Sequence, residues 1–250
     1  MSKAIQMEVC VDSVQSAITA QKAGAQRVEL CDNLVEGGTT PSAGMIQLCR
    51  QHLSISLHIL IRPRRGDFLY TDLEFEVMKQ DIMVAKQLGA DGVVFGVLLA
   101  DGNIDVVRTQ ELIELARPLS VTFHRAFDLT PDPHKALEDL LHLKVDRLLT
   151  SGQKATAAEG AALIKHLCER AGKNLIILPG GGINEQNIQF LLEKTGATEF
   201  HASARAFQES QMVYRKEYVP MGGTPLATEY GSMRASFERI TSLLLQAKGS

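Results

Sequence analysis

IQMEVCVDSVQSAITAQKAGAQRVELC, residues 5–31, holds one complete repeat of the fold. Ile5–Val11 is a short β-rich run in which polar Gln6 and Glu8 fall on one face and Met7, Val9 and Val11 on the other. Asp12 and Ser13 supply helix-capping chemistry, Val14–Ala23 carries apolar residues at helical spacing, and Gly24 stands where that helix must end. Arg27–Cys31 then opens a second strand. Two strands joined through a helix run parallel, because a hairpin turn is too short to return the chain in the same direction.

The unit recurs. Strands are read at Ile55–Arg62, Gly92–Leu98, Ser120–Arg125, Asp146–Thr150, Asn174–Pro179 and Thr198–Ala202. Helices fall between them at Met45–Leu53, Phe75–Leu88, Leu112–Ala116, Ala136–Leu143, Ala161–Ala171 and Ile188–Leu192, with starts at Ser42, Asp72, Asp132 and Asn184. Eight such units in 250 residues predict an α/β fold, a single (β/α)8 TIM barrel, over an open doubly wound sheet. The barrel is read over residues 1–205. Residues 206–250 are expected to form a C-terminal extension and helix of the same domain, with MGGTP at 221–225 and a helix over Tyr230–Gln246.

Composition narrows the function. A net charge of −3 gives no basic footprint for nucleic acid or an anionic membrane, so neither is expected as a partner. MSKAIQMEVCVD lacks the long apolar region of a signal peptide, and no run approaches a membrane span. Cysteines at 10, 31, 49 and 168, with no CxxC pair, suit reduced thiols, and a cytoplasmic location is expected.

Strand parity locates the chemistry. If apolar residues face the helices, then Glu8, Cys10, Glu29, Cys31, His58, Arg62, Arg64, Thr122 and His124 point into one interior at the carboxyl ends of the strands. Unpaired charge there is costly, so Glu8 or Glu29 is expected to pair with Arg62 or Arg64. A structural ion-pair network would use the same residues. Read as a site, Glu8 or Glu29 acts as general acid or base, His124 as its proton-transfer partner, and Arg62 and Arg64 as anion clamps. Gly180, Gly181 and Gly182 with Ser203 and Arg205 resemble a backbone phosphate cradle after the last two strands, although sharp turns alone would need the glycines. Cys10 and Cys31, at equivalent depths on neighbouring strands, form a candidate metal pair that His124 could join. Thiolates favour Cu(I), zinc is possible with imidazole, and buried cysteines also serve as plain apolar filler.

The runs EVCVDS, ELCDNLVEGGTTPSAG, IRPRRGDFLY, VTFHRAFD, LLTSGQK, PGGGI and EFHASAR, followed by Met212, Tyr214, Arg215 and Glu229-Tyr230, closely resemble the CutC family, named for copper homeostasis. The resemblance implies a cytoplasmic barrel, a homodimer or higher homo-oligomer, and copper handling through the thiols that match Cys10 and Cys31. Some members carry a second cysteine where this chain has Val11, and a cysteine where it has Ala202. Two readings follow. One is a copper homeostasis protein binding Cu(I) at Cys10 and Cys31; the other is a barrel enzyme for a small phosphorylated or carboxylated molecule.

Overall fold

The computed structural model describes residues 5–216, 219 and 229–248. Eight parallel strands make the barrel: β1 Gln6–Val11, β2 Arg27–Leu30, β3 Ser56–Leu60, β4 Gly92–Phe95, β5 Ser120–Phe123, β6 Arg147–Thr150, β7 Ile176–Pro179 and β8 Glu199–Ala202. They pair in chain order from β1 to β7, and β8 returns to pair with β1. A parallel bridge between Gly180 and His201 joins β7 to β8 and closes the ring. The fold is the expected (β/α)8 barrel.

Helices α1 Val14–Lys22, α2 Ala43–His52, α3 Asp72–Gln87, α4 Val106–Ala116, α5 Pro133–Leu143, α6 Ala161–Ala171 and α7 Ile188–Thr195 lie between successive strands. Their starts are set by local hydrogen bonds. Ser13 and Ser42 accept from the amides of Ser16 and Met45, and Asp132 accepts from His134 and Lys135 ahead of Pro133. For α3 the cap is Thr71, not the expected Asp72, because Thr71 and Glu74 complete a reciprocal capping box. Asn184 opens a turn, and α7 itself begins after Asn187.

The main core lies between sheet and helices, where Met7, Val28, Ile59, Phe95, Phe123 and Phe200 are fully buried. Each contributes roughly 1.5–3 kcal/mol by leaving water. The odd-even alternation that puts them outside the barrel sends their polar neighbours inward.

The C-terminal region departs from expectation. After β8 the chain forms β9 Arg205–Glu209, which pairs antiparallel with β10 Gly231–Ala235. The helix expected from Tyr230 therefore starts at Phe237, as α8 Phe237–Lys248. The antiparallel partner β9 takes the segment instead, with the Phe207 ring packed so closely over Gly231 that a Cβ would have no space. Helix α8 buries Ile240 and Leu243 against α7 and α1, in the eighth place of the helix ring. The MGGTP stretch lies outside the described residues. No helix among the described residues is long and apolar enough to cross a membrane.

Candidate functional site

The barrel interior holds two layers of different character. Near the amino ends of the strands, charges alternate in contact. Arg147 Nη1 donates to Ser120 Oγ and its Nε to Glu199 Oε2 at 2.9 Å; Arg27 bridges Glu199 Oε2 at 2.6 Å and Glu8 Oε2 at 2.5 Å; Glu8 Oε1 lies 2.7 Å from His201 Nδ1. Register dictates this chain, since Glu8 stands opposite Arg27 on β2 and opposite His201 on β8.

His201 carries the chain into the mouth, its Nε2 3.8 Å from Glu29 Oε2. Cys31 Sγ is 3.5 Å from that same carboxylate oxygen and 3.6 Å from Cys10 Sγ. One donor atom from each of Cys10, Glu29 and Cys31 fits within 4.8 Å of the others. Leu34, Leu60 and Val94 pack around the thiols.

Protonation differs sharply among these neighbours. The hydrogen bond from the Cys31 thiol lowers Cys10 to about 5, against the cost of burial and with help from His201. Burial pushes Cys31 and Glu29 well above their ordinary ranges, and the neighbouring Cys10 sulfur adds to both shifts. Burial alone would raise Glu8, but the Arg27 charge and then His201 hold its carboxyl well down. Burial would likewise strip His201 of its proton; bonds to Cys10 and Glu8 reverse that and raise it. Glu8 is thus held toward carboxylate, His201 toward imidazolium and Cys10 toward thiolate, while Cys31 and Glu29 are shifted toward their protonated forms.

Glu8, Glu29, Arg62 and His124, the four residues expected to carry catalysis, are all buried, Glu8 and Glu29 within β1 and β2 and Arg62 and His124 just past the ends of β3 and β5. Their expected pairing is not what forms. Glu8 is neutralised by Arg27, while Arg62 lies beyond the end of β3 and donates instead to the carbonyls of Glu36, Gly38 and Gly66. Arg64 leaves the interior altogether and binds Glu74 and Asp67 at the edge of α3. His58 and His124 are seated by Gly92, the first residue of β4, and Gly96, the residue just after it. A Cβ on Gly92 would meet the His58 ring at 2.5 Å, and one on Gly96 the His124 ring at 2.7 Å. Burial drives these two imidazoles down to about 4 and about 3, so both are neutral.

The expected anion loop has its own packing logic. Gly181 and Gly182 have positive φ, and a Cβ on Gly182 would meet Thr156 at 2.9 Å. Gly180 passes Leu149, and Arg205 faces Asp12 at 3.8 Å. Ser203 lies between β8 and β9, partly buried. On the neighbouring loops Asp128 accepts from Arg125, Thr150 and Ser151.

Sequence reasoning missed Arg27, Glu199 and His201. The same parity rule would have found them: Arg27 shares a face with Glu29, and Glu199 and His201 alternate with Phe200 and Ala202.

A family model described as the CutC family matches residues 5–206. The chain belongs to the CutC family. It is 51% identical over 242 residues, 97% of this chain and 89% of the relative, to the copper homeostasis protein cutC homolog of Homo sapiens. A CutC family protein of Chromobacterium violaceum is 52% identical, with 95% of this chain and 96% of the relative covered. Among solved structures, a CutC protein from Streptococcus agalactiae superposes with a TM-score of 0.76 at 37% identity, over 80% of this chain and 98% of that one. Phosphoribosylanthranilate isomerase from Thermotoga maritima matches at TM-score 0.58 and 13% identity, over 98% of this chain and 100% of that one, and shares the fold alone.

Proposed function

We propose that this CutC family member serves copper homeostasis by holding Cu(I) as cargo between Cys10 and Cys31. The supporting observation is the sulfur pair itself: 3.6 Å apart, with Cys10 drawn toward the thiolate form. Soft thiolates prefer Cu(I), whereas structural zinc takes four ligands and only Cys10, Cys31 and Glu29 cluster here among the described residues. Register argues against the pair closing on itself. Cys10 stands opposite Glu29, so Cys31 lies two residues further on, just past the end of β2. Strand spacing and rise then put the two Cα atoms about 8 Å apart. A disulfide tolerates roughly 7 Å at most, so an ion between the sulfurs fits this backbone better than a bond. His201, held by Glu8, sets a positive charge beside the Cys10 thiolate.

Cytoplasmic placement and homo-oligomerisation belong to the same reading. The exposed apolar side chains Phe207, Met212, Val213, Tyr214 and Met233 support self-association.

The decisive test is anaerobic titration of reduced full-length protein with Cu(I) against a competing chelator. About one equivalent is expected to bind. The double variant Cys10→Ser, Cys31→Ser should lose it, and the double variant Cys49→Ser, Cys168→Ser should keep it. Retention of copper by the first variant would overturn the reading.

A further inference from the structure

Two buried polar groups at the carboxyl ends of β3 and β5 belong to neither the charge chain nor the thiol cluster. Arg62 is 7% exposed, yet among the described residues no carboxylate lies within ion-pair distance of it. Its Nη atoms are spent on three backbone carbonyls, and Nε, buried near the Tyr70 phenol, makes no hydrogen bond of good geometry. His124 is 6% exposed. Its Nδ1 accepts from the Ala126 amide, which leaves the proton on Nε2, and that N–H is buried and unpartnered.

The two groups share a neighbour. The Phe68 ring lies 5.2 Å from the Arg62 guanidinium carbon and 4.8 Å from the His124 ring. The Nδ1–Cε1 edge of His124 rests over Gly96, which turns Nε2 away from β4. The buried guanidinium has no counter-charge and the neutral imidazole N–H has no acceptor, so both retain an unmet demand for a negatively polarised oxygen. Among the described residues the other buried arginine, Arg27, meets two carboxylates.

We propose that Arg62 and His124 form a receptor for one small oxyanion, the phosphate or carboxylate group of a small molecule, with Phe68 as its apolar wall. The imidazole contributes a hydrogen bond without a charge and the guanidinium supplies the charge. The receptor requires no metal at the thiols, and it is separate from the Gly180–Gly182 loop.

The test uses metal-free full-length protein, titrated in one arm with inorganic phosphate and in the other with acetate, while the His124 ring N–H is followed by NMR. Saturable binding that moves the His124 Nε2–H signal is expected in at least one arm, and the arm that gives it identifies phosphate or carboxylate. His124→Phe should weaken that binding at least tenfold, since it removes the donor and keeps a ring over Gly96, and Arg64→Ala should leave it unchanged. Because His124 is read directly in the wild type, the result does not depend on an Arg62 variant folding. Absence of saturation by either anion up to about 10 mM would overturn the receptor. So would binding that leaves the His124 signal still and survives His124→Phe.

Discussion

The floor and the mouth of this barrel are built from the same residue types, and they differ in whether those residues are satisfied. On the floor, Arg147, Glu199, Arg27 and Glu8 neutralise one another in contact. At the mouth, Arg62 donates to carbonyl oxygens and meets no carboxylate among the described residues, His124 keeps a donor unused, and Cys10 is drawn toward the thiolate form. A saturated buried network holds the barrel closed and offers a ligand nothing. An unsaturated one retains both cost and capacity, which is why binding belongs at the mouth.

Removing one rung tests this contrast most severely. Arg27→Met leaves Glu8 to His201 and Glu199 to Arg147 alone, removing the shared cation between two buried carboxylates, and should cost about 3–5 kcal/mol in a urea denaturation experiment. Arg62→Met strands no carboxylate, although it frees three carbonyls, and should cost clearly less. Equal losses would erase the distinction between the layers.

Acid comes next. His58 and His124 have folded values of about 4 and about 3 against an ordinary 6.5. A buried base with a depressed value contributes stability that is complete above 6.5 and is lost as pH falls toward the folded value, because only the unfolded chain binds the proton. Each histidine then steepens the acid limb by up to about 1.4 kcal/mol per pH unit. Between pH 6.5 and 4 the wild type should lose about 2–3 kcal/mol more than His124→Phe in paired urea midpoints. Parallel pH profiles would mean that His124 is already protonated, and so not the neutral donor the mouth requires.

Gly92 and Gly96, at the two ends of β4, give a smaller and more local effect. Gly96→Ala drives a methyl into the His124 ring, and Gly92→Ala into that of His58. Each should destabilise by about 1–3 kcal/mol. Only Gly96→Ala should also disturb the His124 N–H signal.

Much of this was legible in the sequence, and the remainder shows where parity stops. Two-residue alternation placed Glu8, Cys10, Glu29 and Cys31 in one interior, because within a strand the side-chain direction follows from residue number alone. Alternation cannot say which charge meets which. That depends on register between strands distant in sequence, and Glu8 meets His201 only because β8 closes on β1. The C-terminal segment was misread for a related reason: β10 pairs with β9 across a long connection, and nothing local in Gly231–Ala235 announces a partner. The seats for His58 and His124 were equally hidden, since Gly92 and Gly96 acquire meaning only from rings supplied by the strands on either side.

Arg62 and Arg64 mark that boundary most closely, and they yield the smallest expected effect. Two residues apart on the chain, they share a parity and were expected to clamp an anion together. The strand ends at Leu60, so alternation no longer governs beyond it; Pro63 follows Arg62, and the chain turns outward. Arg64 then finds Glu74 and Asp67 and lies over the Tyr70 ring, with its side chain about one-third exposed. Exposed pairs of this kind contribute up to about 1 kcal/mol, because water competes for both partners. Arg64→Ala should therefore lower stability by less than about 1 kcal/mol, in a manner that fades with added salt. A loss of anion binding in Arg64→Ala, measured by the same titration as for His124→Phe, would move the receptor outward to the loop and leave Arg62 as a backbone clamp only.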